Sequence, residues 1–123
     1  MKDLNLGQLI LRVSFSSLLI VNHGIPKLKN LFSEDPQFIS ILGMGAVFSL
    51  ILATIAETIF PLLVAIGFKT RLATIPIVIT MFVAGFIHHW PDSFATKEKP
   101  LLFLFGFITI AIIGAGKYSV DKK

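Results

Sequence analysis

Two charged side chains stand inside otherwise apolar segments of this chain, and they have opposite signs. Glu57 interrupts the stretch from Ile41 to Phe68 near its middle, and Arg12 interrupts the first apolar segment. A charge at mid-bilayer costs about 2.5 to 3.5 kcal/mol on insertion scales, so it takes a partner or is held neutral. Each of the two is the natural partner of the other. Counted from the segment ends at about 1.5 Å per residue, Arg12 lies roughly 12 Å and Glu57 roughly 16 Å from the same boundary, so a buried Arg12–Glu57 ion pair is expected between antiparallel neighbours. Such a pair is either a strut that fixes helix register or a charge at the floor of a polar cavity that orients a ligand or passes protons.

A second set of reactive residues gathers at the other ends of these segments. His23 ends the first segment, His88 and His89 end the third, and Lys27 and Glu98 lie in the adjoining loops. Imidazole exchanges protons near neutral pH and also ligates metal or haem iron. Three readings of the histidines stand side by side: interfacial anchoring, contact with a ligand or quinone head group, and a metal or bis-histidine haem site. Haem or metal has the least support, since the sequence carries no haem attachment motif and no acidic residue at a standard ligand spacing. His23, His88, Lys27 and Glu98 are therefore the candidate ligand or proton contacts. The sequence contains no cysteine, which excludes disulfides, thiolate metal sites and thiol redox chemistry within it. It also lacks a phosphate-binding glycine loop, a nucleophile elbow and a zinc helix motif, so no catalytic residue is assigned.

The elements that must position these residues belong to a membrane protein. Of 123 residues 54% are hydrophobic and 15% charged, against about 25% charged in soluble domains. The mean hydropathy is +0.84, more apolar surface than one short soluble chain can hide in a core. A net charge of +4 does not point to nucleic acid, because the basic residues sit singly or in pairs between apolar segments. The expected fold is all-α, a single transmembrane four-helix bundle with spans at about 4–22, 41–68, 72–89 and 101–115. In the first span Gln8, Arg12, Ser16 and His23 share a stripe within about 80° that should face protein, with Leu19 among them. Gly24 and Pro26 are expected to end or bend that helix, and Pro61, one turn past Glu57, frees the Glu57 carbonyl. The second run, about 28 residues, either tilts or begins with an interfacial piece. Gly43, Gly45, Ala46, Ala53 and Gly106 permit close helix contact, and self-association into a homo-oligomer stays open. Six basic residues flank the terminal side (Lys2, Lys69, Arg71, Lys117, Lys122, Lys123) against four on the other (Lys27, Lys29, Lys97, Lys99), which favours both termini on the cytoplasmic side.

With these residues laid out, the chain resembles the DoxX family of small four-helix integral membrane proteins over nearly its whole length. The resemblance is carried by Arg12, His23-Gly24, Lys27-Leu28, Glu57, Gly67, Thr70-Arg71, His88, Glu98 and the run from Gly114 to Asp121. It departs where glycines usually follow the second-span glutamate, since Thr58, Ile59, Phe60 and Pro61 stand there, and where a first-span glycine gives way to Phe15-Ser16-Ser17. The resemblance implies a bacterial cytoplasmic (inner) membrane bundle, in some relatives a subunit of a quinone-linked oxidoreductase that works with a soluble oxidoreductase partner. Quinone is the cofactor it suggests. Two other classes stay open: a noncatalytic scaffold or assembly protein, and a small solute or proton pathway with the in-membrane carboxylate as carrier.

Overall fold

Hydrophobic residues recur along the chain at three- and four-residue spacing, and in lipid a backbone segment can satisfy its own polar groups only as a helix. The computed structural model describes residues 2–38, 43–88 and 91–122, with the backbone alone for Lys2 and His88. Among the described residues five α-helices follow one another: α1 (Lys2–Leu19), α2 (Ile25–Leu31), α3 (Ala46–Ile66), α4 (Thr70–Phe82) and α5 (Phe94–Ile113). A π-helical turn over Ile20–Gly24 joins α1 to α2 without a break, and a second one over Val83–His88 extends α4. Three of the described helical stretches, Asp3–Leu31, Ala46–Ile66 and Thr70–Ile87, are long and apolar enough to cross a membrane. The protein is thus an all-α membrane protein with several apolar spans. On α5 the charged residues Lys97, Glu98 and Lys99 leave an uncharged run from Pro100 to Ile113, about 21 Å of helix against a hydrocarbon core of about 30 Å.

The first span is longer than the sequence suggested. Gly24 and Pro26 do not end it, because the π turn takes up the strain: the Ile25 N–H bonds to the Ile20 carbonyl, five residues back, and Pro26 falls in the first turn of α2, where its missing N–H removes little. Lys27 therefore belongs to a helix, not to a loop. The second helix is shorter than expected and begins at Ala46, with 39–42 outside the described residues; its length of about 31 Å needs no strong tilt. It runs unbroken through Pro61. The fourth helix starts at Phe94, so Glu98 too is helical.

Polarity is arranged inside out. On α3 the residues Phe48, Leu52, Ile55, Ile59, Leu62 and Ile66 face outward, while Leu50, Ala53, Ala56, Glu57 and Val64 face inward. An apolar belt of this extent would be a liability in water and is a matched surface in lipid. Inside, Leu19, Val64, Ile77, Phe107 and Ile110 are fully covered where α1, α3, α4 and α5 meet. Lipid tails are as apolar as these side chains, so their association rests on dispersion contacts and on hydrogen bonds between helices. Those hydrogen bonds lie mostly at the end that carries the termini, with one more at Glu57 halfway along α3.

Candidate functional site

The polar stripe of α1 turns inward as its periodicity requires: Gln8, Arg12, Ser16 and Leu19 are buried and His23 is half-buried. Its lower part closes the end of the bundle that carries both chain termini. The last carbonyls of any helix lack intrahelical donors and carry the negative pole of its dipole. Arg12, fully buried, meets that need directly. Its Nη1 donates to the carbonyls of Val64 (3.1 Å) and Ala65 (2.8 Å) at the end of α3, its Nε to Ala115 (2.9 Å) and its Nη2 to Tyr118 (2.5 Å). Gln8 Nε2 donates to the Ile113 carbonyl at 2.7 Å and so caps α5. Gly67, at φ 76°, ends α3 in the left-handed conformation, and its missing side chain leaves room for Ser119. The tail then crosses beneath: the Val120 and Asp121 N–H groups bond to the Ile66 and Gly67 carbonyls. The Asp121 carboxylate accepts from the Lys69 N–H (2.9 Å), the Thr70 N–H (2.8 Å) and the Thr70 hydroxyl (2.8 Å), capping α4 from far along the sequence.

The upper part of the stripe meets α3 at Glu57. Gly24 sits so close to α3 that a Cβ there would collide with the Glu57 carbonyl oxygen, which Pro61 has left without its helical donor. That contact fixes the register. Lys27, one turn further along α2, reaches across and donates to Glu57 Oε1 at 3.0 Å, with the carboxylate side chain 3% and the lysine side chain 21% exposed. Around the pair the buried threonines are satisfied locally, Thr54 by the Leu50 carbonyl (2.7 Å), and the half-buried Thr58 by the Thr54 carbonyl (2.6 Å). Three buried side-chain atoms are not: Glu57 Oε2, His23 Nε2 and Ser16 Oγ have no hydrogen-bond partner among the described residues. The His23 ring stands edge-on to Phe103 of α5 at 5.6 Å, and Phe103 in turn meets Phe15 at 6.2 Å. This level of the bundle thus carries a half-answered carboxylate with a partly exposed ammonium, and an imidazole set against an aromatic ring.

The expected Arg12–Glu57 ion pair is not formed, although both side chains are buried. Gly24 lies against Glu57, and Arg12 is twelve positions earlier in the same continuous helix, about 18 Å lower along its axis. Equal counts from the segment ends had placed the two charges at one depth; the real register, set by the Gly24 contact, does not. Glu57 pairs with Lys27 instead, and Arg12 is used up by carbonyls. Of the candidate contacts, Lys27 pairs with Glu57, while His23 stands against Phe103 of α5. Glu98 is exposed on the first turns of α5 and makes no hydrogen bond to this cluster. The His88 backbone closes the second π turn, while its side chain, like His89 and Trp90, lies outside the described residues. Two roles escaped the sequence reading. Asp121 as cap of α4 left no local signal, but Gly24 beside a helical continuation could have been found by asking where the glycines absent after Glu57 are compensated.

Comparison with curated proteins and with solved structures returns no match. A family model described as DoxX matches residues 7–90, more than half of the chain, from the first turns of α1 past the end of α4. The match takes in Arg12, His23, Lys27 and Glu57 and stops before α5. On that extent, and with the ordered residues that carried the resemblance, the chain belongs to the DoxX family.

Proposed function

We propose that this protein is a membrane-embedded subunit or accessory of a quinone-linked oxidoreductase system, and that Glu57, Lys27 and His23 form the contact for the quinone head group. The observation that carries this reading is the pair of buried atoms without a protein partner among the described residues, Glu57 Oε2 and His23 Nε2, the second beside Phe103. Buried polar groups in native proteins are nearly always hydrogen-bonded, so these two atoms support a role in holding a polar ligand. Lys27 gives the side of approach, since its side chain is 21% exposed while it holds Glu57. In this reading the Arg12 guanidinium is structural, because its hydrogen bonds go to backbone carbonyls.

In this reading the chain is one domain whose α5 completes a four-helix, multi-pass bundle in the bacterial cytoplasmic membrane, with both termini in the cytoplasm and a soluble oxidoreductase as partner. His88 and Glu98 are second-rank contacts. The test is lipid extraction of protein purified in mild detergent, followed by quinone analysis. Bound quinone in the wild-type protein, lost in folded Glu57→Gln, supports the assignment; quinone-linked activity at the wild-type level in Glu57→Gln removes the carboxylate from any redox role. A reporter fused after Lys123 is expected to read cytoplasmic.

A second reading is favoured by a specific observation, the density of structural hydrogen bonds around Arg12. If the same holds for Glu57, the protein is a noncatalytic scaffold whose buried polar groups only specify the fold. Extraction then yields no quinone from any preparation.

A further inference from the structure

At the end of the bundle that carries the termini, successive residues of the tail alternate between inside and outside. Ser119 lies against Gly67 and the Asp121 carboxylate against Lys69 and Thr70, while Tyr118, Val120 and Lys122 are exposed. Phe68 and Leu72 are exposed beside the turn that the tail crosses. They continue the outward apolar belt of the spans, through Leu62 and Ile66 on α3 and Ile75 and Ile79 on α4. At the edge of that belt stand the exposed cations Lys69, Arg71 and Lys122. The Lys69 ammonium lies 5.7 Å from the centre of the Phe68 ring, and Arg71 Nε donates to the Ala111 carbonyl at 3.0 Å. The acid among them, Asp121, is turned to the start of α4, where it accepts three hydrogen bonds. Lys69 and Lys122 are also the two non-glycine residues, among those described, with a left-handed backbone, at φ 47° and 55°. Glycine would hold either turn with less strain, so the turns do not call for lysine and the side chains have a use of their own.

We propose that Lys69, Arg71 and Lys122, with the outward Tyr118 and Val120, form a docking surface for the headgroups of anionic phospholipids. Charge and depth both select this occupant. Cations placed where an apolar belt ends stand at the level of a bilayer's phosphates, and their attraction is strongest to lipids with a net negative charge. The Tyr118 ring and the aliphatic stems of the lysines suit the boundary between acyl chains and headgroups, with the charges reaching outward. A soluble acidic protein would satisfy the cations alone. Lipid satisfies them together with the apolar residues that continue the belt. The proposal is independent of the quinone reading, since no residue of the Glu57 level takes part in it.

The experiment reconstitutes wild-type protein in phosphatidylcholine vesicles with a trace of spin-labelled phosphatidylglycerol or, separately, spin-labelled phosphatidylcholine, and reads the motionally restricted fraction of each by electron spin resonance. The expected result is a preference of at least about threefold for phosphatidylglycerol at low salt, shrinking as sodium chloride screens the cations. Lys69→Gln/Lys122→Gln changes two exposed side chains and should lose most of that preference. Lys29→Gln/Lys99→Gln, on α2 and the first turns of α5, should keep it. Equal restriction of the two lipids by the wild-type protein overturns the proposal, and so does a preference that survives the Lys69 and Lys122 change or disappears with the Lys29 and Lys99 change. Inorganic phosphate that abolishes the preference where sodium chloride of equal ionic strength does not would make this a site for free phosphate and overturn the lipid assignment. The comparison of the two lipids needs only wild-type protein, so it stands even if a variant fails to fold.

Discussion

Two levels of this bundle bury one strong charge each and treat it in opposite ways. At the terminal end, the Arg12 guanidinium meets four backbone carbonyls and Gln8 and Asp121 cap the adjoining helices. Halfway along α3, Glu57 has one oxygen answered by Lys27 and the other without a partner among the described residues. A fully satisfied buried charge has no spare valence for a ligand, and its removal strands everything it satisfied. A half-satisfied one contributes less to stability and keeps capacity for binding. Counting unmet hydrogen-bond valences thus separates the strut from the site, where burial alone ranks Arg12 and Glu57 together.

The comparison can be broken by substitution, and the largest effect is expected at Arg12. Arg12→Ala should destabilise by about 3 to 5 kcal/mol, because carbonyls at the end of α3 and just past α5 lose a fully buried charged donor. Denaturant unfolding in detergent reads this, and a loss below about 1 kcal/mol would show that the carbonyls find other donors. Next in size is Gly24→Ala. Its methyl group meets the Glu57 carbonyl oxygen and the Thr58 side chain, and overpacking of this kind costs about 1 to 3 kcal/mol. The same substitution should push α2 away from α3 and part Lys27 from Glu57, so quinone retention should fall with stability. Asp121→Ala removes the cap of α4 at the terminal end for about 1 kcal/mol and, being remote from Glu57, should leave ligand binding unchanged. If binding falls with it, the two levels are not independent.

The inward stripe of α1 was legible in the sequence because helical periodicity is local, and so was the burial of Arg12 and Glu57, since nothing else in a lipid-flanked helix accepts a charge. Partner choice was not legible. It depends on the offset between α1 and α3, which is set by Gly24 resting on the Glu57 carbonyl, and on a π turn that carries the helix past Gly24 and Pro26 to Lys27. Residues that ordinarily stop a helix hid the one that supplies the cation. Asp121 was invisible for another reason: a cap supplied from fifty residues away leaves no trace beside the helix it caps. The apolar length of α5 sits at the margin, because Lys97, Glu98 and Lys99 lie within its first turns.

The account turns on Glu57 being held for binding and not for the fold, and the unfolding free energy of Glu57→Gln measures this most directly. The amide has the same shape and its oxygen still accepts from Lys27, whose ammonium is already partly exposed and so is not stranded by loss of the opposite charge. The predicted change is within about 1 kcal/mol of wild type, in either direction. A loss of about 3 kcal/mol or more, on the scale expected for Arg12→Ala, would contradict the account and make both charges struts.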